Sequence, residues 1–352
     1  MKRNRFTTVA VAAGVTLTLL AGCAGGTTDA EPGEPGEEGQ LEITLLLPHP
    51  LGLSYPAEVN GVAAGFFEEA GANVTTEVAD GSGYLGQQII AGNVEFALMS
   101  AADAVVAFNV RDDLRVLLCS HVNNVYRIVT PTDSGITEIA DLEGQSLGFT
   151  ELGGGEVRIV NASLAEAGLV PNENVTLVPV GGAGPTSLTA LQNGTVQAYA
   201  SSYPDIAALR VQGIDWLDIT SEKYSAVPGV CLTTTEEVLN TDAGMEKAIA
   251  LATGWVNSLF DVIEDPAGAL NDACEFLPAA CENPEAAAAL HEESVNLLIP
   301  DEGLPGELRL ASWETVVELL ASSDTVPADM DVRPLISGEN VEAVIEAAYA
   351  GR

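Results

Sequence analysis

The chain has 352 residues, 47% of them hydrophobic, and its 51 Asp and Glu against 13 Lys and Arg give a formal net charge of -38. A surface of that sign repels nucleic acid and anionic lipid, and no basic stripe in the sequence offsets it, which excludes nucleic-acid binding. The length beyond residue 40 suits two lobes of about 100–200 residues each, with enough apolar residues for a sizeable core.

Lys2, Arg3 and Arg5 precede an apolar run from Phe6 to Leu20. A basic start, an apolar stretch and a small-residue cleavage site form a secretory signal, and the run is shorter than the ~20 apolar residues a membrane span needs. Leu20-Ala21-Gly22-Cys23 closes it and resembles a bacterial lipobox. Residues 1–22 are therefore expected to be a lipoprotein signal peptide, with Cys23 lipidated. Residues 23–40 form the tether: the stretch GGTTDAEPGEPGEEG over 25–39 has no apolar residue beyond Ala30 and is expected to be disordered. The body is then extracytoplasmic and meets the membrane through its lipid anchor alone.

Residues 41–47 read as a strand ended by Pro48 and Pro50, and 56–70 as a helix with Val59, Val62, Ala63 and Phe66 on one face. A strand over 74–79, a helix from Gly81 to about residue 91, a strand over 94–99, a helix over 101–110 and a strand over 114–119 follow. A second alternation places strands at 126–130, 145–150, 175–180 and 196–200, with helices at 155–167, 185–192 and 203–211. From about Thr233 the pattern is helical, over 243–263, 266–276, 284–298 and 312–322. Strands separated by helices of this length predict parallel βαβ units and an α/β fold in two lobes, with the helical tail packing back on the first.

With Cys23 lipidated, Cys119, Cys231, Cys274 and Cys281 are an even set in an oxidising compartment. They allow three pairings. A local turn through Phe276-Leu277-Pro278 can join Cys274 to Cys281, and Cys119 and Cys231 would then form a long-range pair. The spacings contain no CxxC, which argues against a zinc site.

Gly81-Ser82-Gly83-Tyr84-Leu85-Gly86 matches GxGxxG between a strand and a helix. The strand before it is short and polar, and nicotinamide cofactors are scarce outside the cell, so no cofactor is expected. Exposed N–H groups at a helix start still bind a partly negative ligand group, and a plain tight turn explains the same residues. Gly153-Gly154-Gly155 with Arg158, Gly181-Gly182-Ala183-Gly184 before Pro185, and Ser100-Ala101 repeat the arrangement. Open α/β sheets bind ligands at such strand ends. His49 and His121 follow strands, but no HExxH or GxSxG accompanies them. A hydrogen-bonding or solvated role is expected for each, with His291 on an exposed helix face. Tyr55, Tyr84, Tyr199 and Tyr203 stand at strand–helix junctions, where an aromatic ring can stack on a ligand or serve as core.

Four blocks in order carry a family resemblance: GVAAGFFEEAGANV over 61–74, DGSGYLGQQIIAGNVEF over 80–96, Asp133-Ser134-Gly135-Ile136 with Asp141-Leu142-Glu143-Gly144, and TALQNGTVQA over 189–198. Together the chain resembles the substrate-binding proteins of ABC importers, more narrowly the nitrate/sulfonate/taurine and thiamine-pyrimidine-precursor class. Gln197 stands where that class usually has an acidic residue. The resemblance implies a type II periplasmic-binding fold with two chain crossings near 121–127 and 227–233. It puts the first lobe at 41–122 plus 231–352 and the second at 123–230, with Cys119 and Cys231 flanking the crossing strands. Ligand contacts carried over are His49 and Tyr55; Gly81, Ser82 and Gly83; Ser100 and Ala101; Asn123 and Asn124; Gly153, Gly154 and Gly155; and Tyr199 with Ser201. The implied function is capture of a small organic solute for delivery to ABC permease subunits by a monomer that needs neither metal nor cofactor. The alternatives are an enzyme of the same fold, of the pyrimidine-precursor synthase or menaquinone-pathway type, and a ligand-sensing surface module. The synthase alternative is weakened by the scarcity of lysines to anchor a cofactor, since only Lys223 and Lys247 lie beyond the signal.

Overall fold

The structure, a computed structural model, describes residues 39–79, 82–152 and 155–352, with only the backbone of Ser82 and Gly83. The signal peptide, Cys23 and most of the tether, like Gly81, Gly153 and Gly154, lie outside the described residues.

Among the described residues, ten strands form two sheets. In chain order they are β1 (Leu41–Leu47), β2 (Ala72–Val78), β3 (Phe96–Ser100), β4 (Leu114–Cys119), β5 (Tyr126–Pro131), β6 (Ser146–Phe149), β7 (Thr176–Pro179), β8 (Ala198–Ser202), β9 (Trp216–Asp218) and β10 (Val230–Thr235). The first sheet has the order β2-β1-β3-β10-β4 and the second β7-β6-β8-β5-β9. In each the first three strands of that order run parallel and the fourth is antiparallel to both of its neighbours: β10, from the end of the second alternation, in the first sheet, and β5 in the second. The same topology is thus built twice, in two α/β lobes linked by the segments on either side of β5–β9.

The helices are α1 (Pro56–Ala63), α2 (Phe66–Glu69), α3 (Ser82–Ile90), α4 (Ala101–Val110), α5 (Glu156–Glu166), α6 (Pro185–Gln192), α7 (Tyr203–Val211), α8 (Glu222–Ser225), α9 (Glu236–Leu239), α10 (Asp242–Glu264), α11 (Pro266–Phe276), α12 (Pro284–Asn296), α13 (Leu310–Ala321), α14 (Arg333–Ile336) and α15 (Glu339–Tyr349). They cover both faces of the first sheet. Alternation along β3 sends Phe96 and Leu98 to a core with Trp255 and Leu251 of α10, and Ala97 and Met99 to one with Leu85, Val105 and Trp313. The tail packs on the first lobe through α10, α13, α14 and α15. In the second sheet Ile128 and Leu147 face one core, Val129 and Tyr199 the other.

The helix expected over 56–70 is broken in two. Gly65 adopts φ 82°, a left-handed conformation glycine takes without strain. The break swings Phe67 under α1 and α10, where a Cβ on Gly61 would lie 2.8 Å from Phe67 Cζ and one on Gly254 2.8 Å from Phe67 Cα. Strands β9 and β10 and helices α8, α9, α14 and α15 are additions to the elements expected from the sequence, and β10 runs to Thr235, past the expected start of the helical pattern.

Two disulfides are present among the described residues. Cys119–Cys231 joins directly paired residues of β4 and β10, with Cα atoms 3.9 Å apart. Cys274–Cys281 ties the end of α11 to the turn after it, with Cα atoms 5.6 Å apart. The crossings run side by side: Gly229 N–H donates to His121 O (2.8 Å) and Asn124 N–H to Ser225 O (2.8 Å). A Cβ on Gly229 would stand 2.9 Å from His121 Cβ, so only glycine allows that approach.

Candidate functional site

The ends of β3, the turn before α5, both crossings and α13 enclose a cavity of about 290 Å³. Ser100, Ala102 and Asp103 line it from the first lobe, Tyr126, Gly155, Arg158 and Ile159 from the second, Asn124 and Val227–Gly229 from the crossings, and Val316, Leu319 and Leu320 from α13. Local chemistry fixes these positions. Ser100 caps α4, accepting from Asp103 N–H at 3.0 Å and donating to Asp103 Oδ2 at 2.7 Å. Ala101 N–H donates to Gly229 O at 3.0 Å, which locks the start of α4 to the second crossing. Glu156 Oε1 accepts from the Thr150 N–H (3.0 Å) and hydroxyl, tying the start of α5 to the end of β6. Gly155 presses on the Tyr126 ring: a Cβ there would lie 2.7 Å from Tyr126 Cε2. Burial pushes the Tyr126 phenol up, as do Glu156 and Asp103, while Arg158 opposes them. A guanidinium, a carboxylate and a phenol therefore line one space, with Ser100 and Asn124 as further polar groups and an aliphatic wall from Ile159 and α13.

A second polar cluster lies where the lobes meet. His121, fully buried, is stacked on Tyr55 (centroids 6.4 Å apart) and tilted against Tyr203 of the second lobe (5.6 Å). Tyr203 Oη donates to Ser54 O at 2.7 Å, and Ser120 Oγ donates to Glu58 Oε1 at 2.7 Å. Neither ring nitrogen of His121 nor Glu58 Oε2 has a partner among the described residues. Burial drives His121 down to about 3 and Glu58 up to about 7. Farther along, Arg210 of α7 bridges to Glu293 of α12 at 3.0 Å.

Glu58 sets a pH signature. Its folded pKa is raised, so from about pH 4.5 to about 7 the folded state holds a proton the unfolded state has lost, and stability falls as pH rises through that window. His121 acts oppositely between about pH 3 and 6.5, where the unfolded state holds the extra proton. Replacing Glu58 by Gln should therefore stabilise the protein increasingly from pH 4.5 to 7, then level off at about 3 kcal/mol. Urea unfolding of both proteins across pH 4–8 checks this, and a pH-independent difference would contradict it.

The structure distributes the expected site residues unevenly. Ser100, Asn124 and Gly155 line the cavity. Ala101 is buried beside it, Asn123 donates to Ile299 O at 2.8 Å behind the crossing, and His49 is exposed on the loop after β1. Ser82 and Gly83 open α3. Tyr55 belongs to the His121 cluster. Tyr199 and Ser201 are buried in the second lobe, the phenol donating to Gly181 O at 2.9 Å and the serine hydroxyl to Asp205 Oδ2. Both faces of β8 are covered, and neither residue lines the cavity. His291 is buried rather than exposed, its Nε2 2.8 Å from Pro266 O, and His121 is neither bonded through its ring nor solvated. Asp103, Tyr126 and α13 carry no local signal of a site, because the cavity joins positions more than 200 residues apart.

The family model described as NMT1/THI5 like matches residues 59–269, more than half of the chain. No curated protein sequence matches. Among solved structures, the periplasmic aliphatic sulphonate binding protein SsuA from Escherichia coli aligns with TM-score 0.62 at 14% identity, over 84% of this chain and 92% of its own. The periplasmic nitrate-binding protein NrtA from Synechocystis PCC 6803 aligns with TM-score 0.58 at 13% identity, over 89% of both chains. A DSZB mutant in complex with biphenyl-2-sulfinic acid aligns with TM-score 0.57 at 16% identity, over 87% of this chain and 99% of its own. These likenesses establish a fold shared with two-lobed binding proteins.

Proposed function

The chain belongs to the NMT1/THI5-like family, and we propose that within it the protein is the extracytoplasmic solute-binding component of an ABC importer. It captures a small organic solute between its lobes and hands it unchanged to permease subunits. The observation that carries this reading is the cavity itself, walled by both lobes and both crossings. A ligand that touches both walls has more contacts in the closed form than in the open one and favours closure by that difference. The sulphonate- and nitrate-binding neighbours support transport over catalysis. The Leu20-Ala21-Gly22-Cys23 motif supports a lipid anchor at Cys23 that keeps the monomeric body outside the cytoplasmic membrane.

A thermal-shift screen of the purified body against sulfonates, carboxylates, amines, amino acids and heterocycles tests the reading. Saturable stabilisation by a few structurally related solutes, each recovered chemically intact after prolonged incubation, is the expected result. Stabilisation by none overturns solute binding, and conversion of the bound compound moves the protein to the enzyme class.

A further inference from the structure

The cavity carries charge of both signs, contributed by opposite lobes. Its cation is Arg158, in the first turn of α5. In a chain with 51 Asp and Glu against 13 Lys and Arg, an exposed guanidinium has carboxylates in surplus around it. Seven of the described basic side chains are indeed taken up in ion pairs. Arg158 is in none of them, although Glu156 stands two positions away, because Glu156 is turned inward to Thr150. The cavity's carboxylate is Asp103, in the first turn of α4. Its Oδ2 accepts from Ser100 Oγ, while Oδ1 has no hydrogen bond among the described residues. The Tyr126 phenol lies within the influence of both charges. Ile159, Val227, Val316, Leu319 and Leu320 supply an aliphatic part of the same lining.

We propose, on the reading of this cavity as the solute site, that its ligand is a small zwitterion, with a cationic donor group against Asp103 on the first lobe and an acidic group against Arg158 on the second. A monoanion placed here satisfies Arg158 but faces Asp103 and the field of a chain with net charge -38. A monocation satisfies Asp103 and leaves Arg158 uncompensated. A molecule neutral overall but charged at both ends pairs with each group, escapes the long-range field, and bridges the lobes through the contacts that favour closure. A cavity of about 290 Å³ suits a small organic solute.

Calorimetric titration of the purified protein with ω-amino acids from β-alanine to 6-aminohexanoate, and with the fatty acids and alkylamines of matching length, tests the assignment. At least one ω-amino acid should bind ten-fold or more tightly than both of its matched single-charge analogues. Asp103→Asn should remove ten-fold or more of that affinity without weakening the matching fatty acid, and Arg158→Gln should do the same without weakening the matching amine. The assignment is overturned if a fatty acid or an amine binds as tightly as its ω-amino acid, if either variant weakens all three probes alike, or if no ω-amino acid binds. When some other solute stabilises the protein in the thermal screen, such a failure removes the zwitterion alone. When nothing does, solute binding falls with it.

Discussion

Replacing Cys119 and Cys231 together by alanine should lower the unfolding free energy by about 4–5 kcal/mol, the larger of the two disulfide effects in this chain. The bond spans a sequence separation of 112, and the entropy of an unfolded chain constrained by a loop of that length is worth ~4.7 kcal/mol in the chain-entropy account. The enclosed segment contains every strand of the second lobe, so the crosslink shortens the reach of an entire lobe in the unfolded state. The same treatment of Cys274 and Cys281, separated by seven residues, should cost only about 2–3 kcal/mol. Urea unfolding of the two double variants under identical buffers provides the comparison. Equal losses would mean that local packing around the sulfurs, rather than loop closure, governs both.

Filling the cavity from either lobe should abolish binding. Ala102, on α4, lines the cavity from the first lobe, and an indole there occupies much of the space between α4 and α13. Gly155 lines it from the second, where any side chain collides with the Tyr126 ring or displaces it into the cavity. Ala102→Trp and Gly155→Leu should each weaken a saturable ligand more than 100-fold, a loss of about 2.7 kcal/mol. Calorimetric titration of the two variants measures this, with circular dichroism as the check on folding. A ligand held on one lobe alone would be lost in only one of them, and that outcome would remove the cavity between the lobes from the account.

The contrast between what the sequence foretells and what it conceals follows from the range of the interactions. Residues 101–110, 185–192 and 203–211 are legible as helices because their starts carry Ser100, Pro185 and Pro204, and their apolar residues recur at helical spacing. The break at Gly65 is hidden because its cause, Phe67 seated against Gly61 and Gly254, joins residues nearly 200 positions apart. Strand β9 is three residues long, too short for any periodic signal. Helix α15 was readable, since Val341, Val344 and Ala348 fall on one face after Gly338.

The site divides in the same way. Glycines and small residues after strands are visible in the sequence, and Ser100 and Gly155 do border the cavity. Tyr199 and Ser201 carry the same local signature, yet β8 is covered on both faces, so its residues are buried in either phase of the alternation. The polar look of Ser120-His121-Val122-Asn123-Asn124 suggests solvation. The structure instead buries all of them but Asn123, with the His121 ring against Tyr55 and Tyr203, because the chain crosses between lobes there.

Hydrogen–deuterium exchange with and without a saturating solute tests most directly whether the ligand lies between the lobes. The first turns of α4 and α5, carrying Asp103 and Arg158 on opposite walls, should gain protection together and at the same ligand concentration. Protection confined to one lobe, or absent from both turns while binding is saturated, would contradict the account.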